Sequence, residues 1–250
     1  MKRNDMRLFE MFKDHRYVIY WLVHLILFML GAYFLRSSDI TYQSIGASLM
    51  AAGIAGAVIF IYIMYSQNLS DKLEIISRFG ITNIFEARAA RIKSIYDEKL
   101  NTARNNIDIL GFGLSALRED YLNDFVTWKT RAKVRILLID PEFPTSEFSL
   151  SGLRDREEGD QAGEIEREVR QFIEDTRDIV DDDFQIRLYR CLPSVNIFRV
   201  DDDLFWGPYL MREQSRNTPT MLVRGGGLLF EKLQSHFEVI WEDSNLSRSV

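Results

Sequence analysis

Two long runs without a formal charge dominate the first quarter of the chain. Between Arg16 and Arg36 lie 19 residues, Tyr17 to Leu35, with no Asp, Glu, Lys or Arg. At about 1.5 Å per helical residue they reach close to the roughly 30 Å of bilayer hydrocarbon. Between Asp39 and Asp71 lie 31 more, whose apolar heart, Ile45 to Tyr65, is long enough to cross with some tilt. The pattern predicts two transmembrane helices, 17–35 and 45–65, after an N-terminal segment 1–16. The loop between them, Arg36 to Ser44, is too short to hold a folded domain. A cleaved signal peptide is the competing reading of the first run. It requires a shorter apolar core and a small-residue cleavage site, and Leu35-Arg36-Ser37-Ser38 supplies neither.

From Ser70 to Ala103 the apolar positions Leu73, Ile76, Ile84, Ile92, Ile95 and Tyr96 recur near helical spacing among many charges. This predicts a helical stalk over 66–104, broken at Phe79-Gly80-Ile81. Strand-like and helix-like patterns then alternate: strand Ile107–Leu114, helix Asp120–Arg131, strand Lys133–Ile139, helix Glu164–Val180. Strands Phe184–Arg190, Val195–Val200, Asp203–Leu210 and Thr218–Arg224 follow, then a closing helix Leu228–Trp241. The fold class expected is an α/β soluble domain over 105–243, with 244–250 as a tail, attached through the stalk to an N-terminal two-helix transmembrane hairpin.

Charge sets the orientation. Lys2, Arg3, Arg7, Lys13 and Arg16 precede the first span, Lys72, Arg78 and Arg88 follow the second, and only Arg36 lies between. By the positive-inside rule both termini face the cytoplasm of a bacterial inner membrane. The single cysteine, Cys191, agrees with a reducing compartment. The second span holds the small-residue steps Ala52 to Gly56 and Gly53 to Ala57, which let helix backbones approach in lipid. That packing serves either a homo-oligomer or the first span of the same chain. His24, alone inside the first span, is a poor proton relay. Residues 151–183 carry 13 acidic and 5 basic side chains, net −8 against −6 for the whole chain, so the remainder is +2 and free to meet an anion.

Four stretches carry a resemblance. These are Ile107-Asp-Ile-Leu-Gly-Phe-Gly, Val134-Arg-Ile-Leu-Leu-Ile-Asp-Pro, the run from Ile197 to Tyr209, and the ending Leu-Phe-Glu-Lys-Leu-Gln-Ser-His-Phe-Glu-Val-Ile-Trp at 229–241. Together they resemble one half-domain of the phospholipase D-like superfamily. Active members use His-x-Lys-x₄-Asp, with a histidine nucleophile and a lysine phosphate clamp. The best frame here is Ser194-x-Asn196-x₄-Asp201: the Asp is kept, the His and Lys are replaced, and His236 lies in the closing helix. The resemblance therefore implies no catalytic residue, and a degenerate pocket in which Ser194, Asn196, Arg199, Asp201 and Arg224 hold a phosphate-bearing ligand. The runs Asp201-Asp202-Asp203 and Gly225-Gly226-Gly227 suit a divalent cation and an anion respectively, and equally suit ordinary turns.

Two spans joined directly to an intracellular sensor also resemble the membrane effectors of bacterial anti-phage defence. That implies an oligomeric pore or bilayer-disrupting protein, gated by a nucleotide or oligonucleotide and partnered by a nucleotidyltransferase, with no cofactor. The alternatives are a membrane-tethered phosphodiesterase or nuclease, and a passive anchor recruiting a partner protein through the acidic face of 151–183.

Overall fold

The computed structural model describes residues 15–86, 92–192 and 194–250, and the chain divides into two compact units, up to Glu74 and from Ile75 onward. The expected segment 1–16 and the flanking Arg88 lie almost wholly outside the described residues.

The first unit is a helical hairpin. Helix α1 spans His15–Phe34 and α2 spans Ile40–Phe79, so α2 alone takes in the second expected span and the first part of the expected stalk. Asp39 begins α2 by accepting the Thr41 N–H at 2.8 Å. Missing side chains let the two helices touch. A Cβ on Gly31 or on Gly46 would come within 2.7 Å of the other's carbonyl oxygen, and the space in front of Gly56 is filled by the His24 ring. Tyr20 stacks on His24 and Phe60, and its hydroxyl donates to the Gly56 carbonyl at 3.2 Å. The inward stripe is thus Gly46, Gly53, Gly56 and Phe60. Of the four expected packing residues, Gly53 and Gly56 face the first helix of the same chain, Ala57 is half-buried and Ala52 is exposed. The rest of the surface is apolar, with Leu25, Met29, Val58 and Tyr62 exposed. By length and composition α2 qualifies to cross a membrane, and Val18–Phe34 is a shorter apolar helix beside it.

The second unit is an eight-stranded mixed sheet: β1 (Ile81–Phe85), β2 (Asn106–Leu110), β3 (Lys133–Ile139), β4 (Phe184–Tyr189), β5 (Val195–Val200), β6 (Asp203–Pro208), β7 (Thr220–Arg224) and β8 (Ser247–Ser249). Their order is β1-β7-β6-β5-β2-β3-β4-β8; β2, β3 and β4 run parallel and the other pairings are antiparallel. Helices α3 (Lys93–Thr102), α4 (Ser115–Tyr121), α5 (Phe125–Lys129), α6 (Leu150–Glu158), α7 (Glu164–Thr176) and α8 (Leu228–Glu242) connect them. Phe125 of α5 meets Phe184 and Phe172, and Tyr96 of α3 meets Phe198 and Phe205, so α3, α5 and α7 cover one face. Strand alternation places Arg135 and Arg199 on the other face, where they lie against Phe237 and Phe230 of α8.

Three expectations change. Residues 81–85 are not helical: Ile81 to Phe85 pair with β7 as an edge strand, a partner about 140 positions away that local spacing cannot reveal. The expected helix over 120–131 is two short ones. The expected tail is part of the sheet, since Ser247–Ser249 extend it beyond β4.

Candidate functional site

Three of the five residues expected to cradle a phosphate, Asn196, Arg199 and Asp201, are spent on the fold. Asn196 and Arg199 stand three positions apart on β5 and so point to opposite faces. Asn196 is buried and donates to the Gly207 carbonyl at 3.0 Å. Arg199 is not a surface arginine: it is 8% exposed, donating from Nη1 to Asp108 at 2.8 Å and from Nε to the Asp201 carbonyl at 2.8 Å. Asp108, 1% exposed, takes Arg135 on its other oxygen at 2.7 Å, and Arg135 forks onto Glu238 of α8 through two bonds of 2.7 Å. The row Arg199–Asp108–Arg135–Glu238 pins α8 to the sheet, and the Arg135 fork holds the Glu238 carboxyl below its usual range.

Asp201 turns the β5–β6 hairpin at φ 51° and accepts the backbone N–H of Arg104, Asn105 and Asn106 at 2.8 to 2.9 Å. Burial alone would raise its carboxyl, and those three donors bring it below the ordinary value. Asp203 pairs with Lys99 at 2.8 Å and the Asp202 carbonyl closes the turn with Gly225, so the acidic run is a structural corner. Ser194 and Arg224 are exposed at opposite ends of the sheet. The glycine turn before α8 is packed, not open: a Cβ on Gly227 would come within 2.4 Å of the Gly80 Cα, and the Arg224 N–H donates to the Gly80 carbonyl at 2.9 Å. The end of α2 therefore meets the sheet where β7 ends. Among the described residues no cluster of His, Cys, Asp and Glu is arranged to hold a metal. His236 is half-buried in α8 and burial lowers its basicity, in keeping with a structural role.

The opposite end of the sheet carries the cleft. There β2, β3 and β4 end and β5 begins next to β2, so successive connections leave in different directions, the situation in which open α/β sheets hold their ligands. A cavity of about 650 Å³ opens between α3, α4, the start of α7 and the loop after β6. None of the five expected residues lines it. Its backbone comes from the turn after β2. Leu114 takes a left-handed conformation with φ 55°, and Gly113 has no side chain because the Glu168 carboxylate fills the place of its Cβ. Burial raises the Glu168 carboxyl; its hydrogen bond to Ser115 counters this, and Glu164, Asp155 and Asp160 add to the rise. Lys93 stands 4.5 Å from the centre of the Tyr121 ring and pairs with Asp120 at 3.1 Å.

The loop forming one wall is braced from beneath. Arg154 of α6, 3% exposed, donates to the carbonyls of Leu210 and Glu213 at 2.9 and 2.8 Å, pairs with Glu157 and Glu158, and lies against the rings of Phe112 and Tyr209. Asp140, at the end of β3 and 1% exposed, is shared by Arg190 and Arg248, which ties β8 to the sheet. Burial would raise its carboxyl and the two guanidinium groups more than offset that. Sequence reasoning missed this end of the domain because its residues come from five separate segments. The only advance signal was the acidic excess of 151–183, which supplies Glu158, Asp160, Glu164 and Glu168.

The fold and cleft define a mixed α/β domain attached to an apolar helix pair. The chain belongs to a family described as a domain of unknown function, DUF5919, whose model matches residues 78–248. A search among curated proteins finds no match. Among solved structures the chain is similar to TrmBL2, an archaeal chromatin protein with a novel mode of DNA binding, at 13% identity over 82% of this chain and 70% of that one, with a TM-score of 0.42. It is also similar to the phosphatidylserine synthase of Haemophilus influenzae Rd KW20, at 12% identity, 67% of this chain, 38% of that one and a TM-score of 0.43.

Proposed function

We propose that the protein is a membrane effector whose apolar helix pair crosses the bacterial inner membrane and whose α/β domain is a cytoplasmic ligand-responsive module, acting in anti-phage defence. The observation that carries this reading is that α2 is one helix of 40 residues. At 1.5 Å per residue it is about 60 Å long, of which bilayer hydrocarbon takes roughly 30 Å. Its last residues end at Gly80, in backbone contact with the turn that starts α8. In this reading α2, which runs from the apolar segment to the first residues of the second unit, is the element through which a change of state in the domain reaches the membrane. Opening a water path requires several copies, because two helices alone cannot enclose water while keeping a lipid-facing surface.

The test is the full-length protein reconstituted in vesicles loaded with a self-quenched dye, and expressed in cells carrying a membrane-potential probe. Dye release or depolarisation that switches with a phage trigger supports the effector reading. Membranes that stay sealed under every trigger, together with turnover of a phosphodiester substrate, would replace it with a tethered enzyme.

A further inference from the structure

The two faces of α2 exchange character along its length. Toward α1 the line Gly46, Gly53 and Phe60 is buried, and the next residues at the same seven-residue step, Gln67 and Glu74, are polar and exposed. On the opposite face the line Ala55, Tyr62, Leu69 and Ile76 is exposed throughout, and Ile59 and Leu73 interleave with it at steps of three and four. All six are apolar or aromatic and fall on the a and d positions of a heptad. Because Gly46, Gly53 and Phe60 take α1, this stripe points away from the hairpin of its own chain. The uncharged apolar heart of the helix ends at Tyr65, and Ile76 lies about 16 Å further along the axis at the usual helical rise. Lipid that covers Ala55 and Tyr62 therefore does not reach Leu73 and Ile76. A lone helix of this length is marginal in water, and its contiguous apolar stripe calls for a partner.

We infer that the stripe is the docking surface for a second copy of this chain, whose α2 pairs with it in parallel as a coiled coil over 55–76, from the lipid into the stalk. The occupant has to run from lipid into water as the stripe does. The same helix of another copy does so, and it presents matching side chains at matching heights. The inference rests on the effector reading, which inserts every copy in one orientation and so makes the pairing parallel. In a parallel pair the positions flanking the seam set Lys72 against Ser77, so no like charges oppose each other there. The seam gives the effector reading its contact between copies, on the element that continues into the second unit.

The experiment is cysteine cross-linking of the full chain in membranes, with Cys191→Ser removing the single native thiol. Leu69→Cys, Leu73→Cys and Ile76→Cys are compared with Gln67→Cys and Glu74→Cys on the other face, all at exposed positions. Under copper phenanthroline oxidation the first three should give a disulfide-linked dimer about fivefold or more stronger than the other two, because a and d side chains meet across a seam and the opposite face points away. Equal bands at all five positions, or none at Leu73 and Ile76, overturn the proposal. Leu69→Glu combined with Leu73→Glu sets like charges across the seam and should abolish the Ile76→Cys cross-link while the protein stays in the membrane fraction; a cross-link that persists also overturns it. The dye-release assay separates this inference from the effector reading. Release that switches with a trigger, without cross-links on the stalk, removes the seam alone. Stalk cross-links in membranes that stay sealed under every trigger keep the seam and remove the effector reading.

Discussion

Asp108 shows how a single residue redirects the reading of this domain. The carboxylate is almost fully buried and answers two guanidinium groups at once, Arg135 at 2.7 Å and Arg199 at 2.8 Å. A buried ion pair adds little net stability, but removing one member leaves charge without compensation. Asp108→Ala strands two cations between the sheet and α8, and we expect it to lower the unfolding free energy by about 3 to 5 kcal/mol. The shift of the denaturant midpoint measures this directly. Arg199→Glu is worse still, because it sets a second carboxylate against Asp108, so failure to fold is the expected result. A stably folded Arg199→Glu protein would show that the charge row is not what holds α8.

At the scale of elements, the decisive feature is where α2 stops. Gly80 takes φ +74° and its N–H closes on the Ser77 carbonyl, the left-handed ending that glycine adopts freely. In the same place its Cα touches Gly227, so a side chain there meets backbone on both counts. Gly80→Ala should cost about 1 to 3 kcal/mol as a strained left-handed residue in contact with Gly227. Gly80→Asn should tolerate the backbone angle better and still crowd Gly227. Thermal melts of the two variants separate the contributions: equal losses point to the contact, and a milder Asn variant points to the angle. The hairpin of α1 and α2 follows the same logic of backbone approach, with Gly31 against Gly46 and Gly56 against His24. Its glycines are used within the chain, while Ala51, Ala52 and Ala55 stay exposed on the outward face.

For the whole molecule, the two units have opposite surface chemistry. The helix pair exposes large apolar side chains over most of its length, which water does not tolerate on a contiguous surface and lipid does. The second unit builds an apolar core and exposes charge, with scattered apolar side chains such as Ile84, Phe148 and Leu192 left at its surface. With the basic residues on the flanks of the spans, both termini are expected on the cytoplasmic side. A phosphatase fused after Val250 should therefore be silent and a fluorescent protein bright; strong periplasmic phosphatase activity would reject this topology.

Some of this was legible in the chain. Two uncharged runs specify apolar helices because the run of apolar side chains and the rise per helical residue are both local properties of the chain. Lys133–Ile139 and Val195–Val200 read correctly as strands because apolar runs and turn residues are local signals. Partners could not be read. Ile81–Phe85 carries helical spacing but becomes a strand because β7 offers it hydrogen bonds, and the last residues join the sheet because β4 has a free edge. Charged residues were hardest, since one guanidinium can bind a phosphate or a buried aspartate. Only the sheet decided that Arg199 faces Asp108 while Asn196 turns away, and only the meeting of distant segments gathered the carboxylates of α4 and α7 around one cleft. The sequence by itself determined which segments are apolar and, away from the edge strands β1 and β8, most of those that are helical or extended, because those depend on neighbours a few residues away. Tertiary structure decided what each charge faces, because electrostatic partners are set by burial and proximity in space.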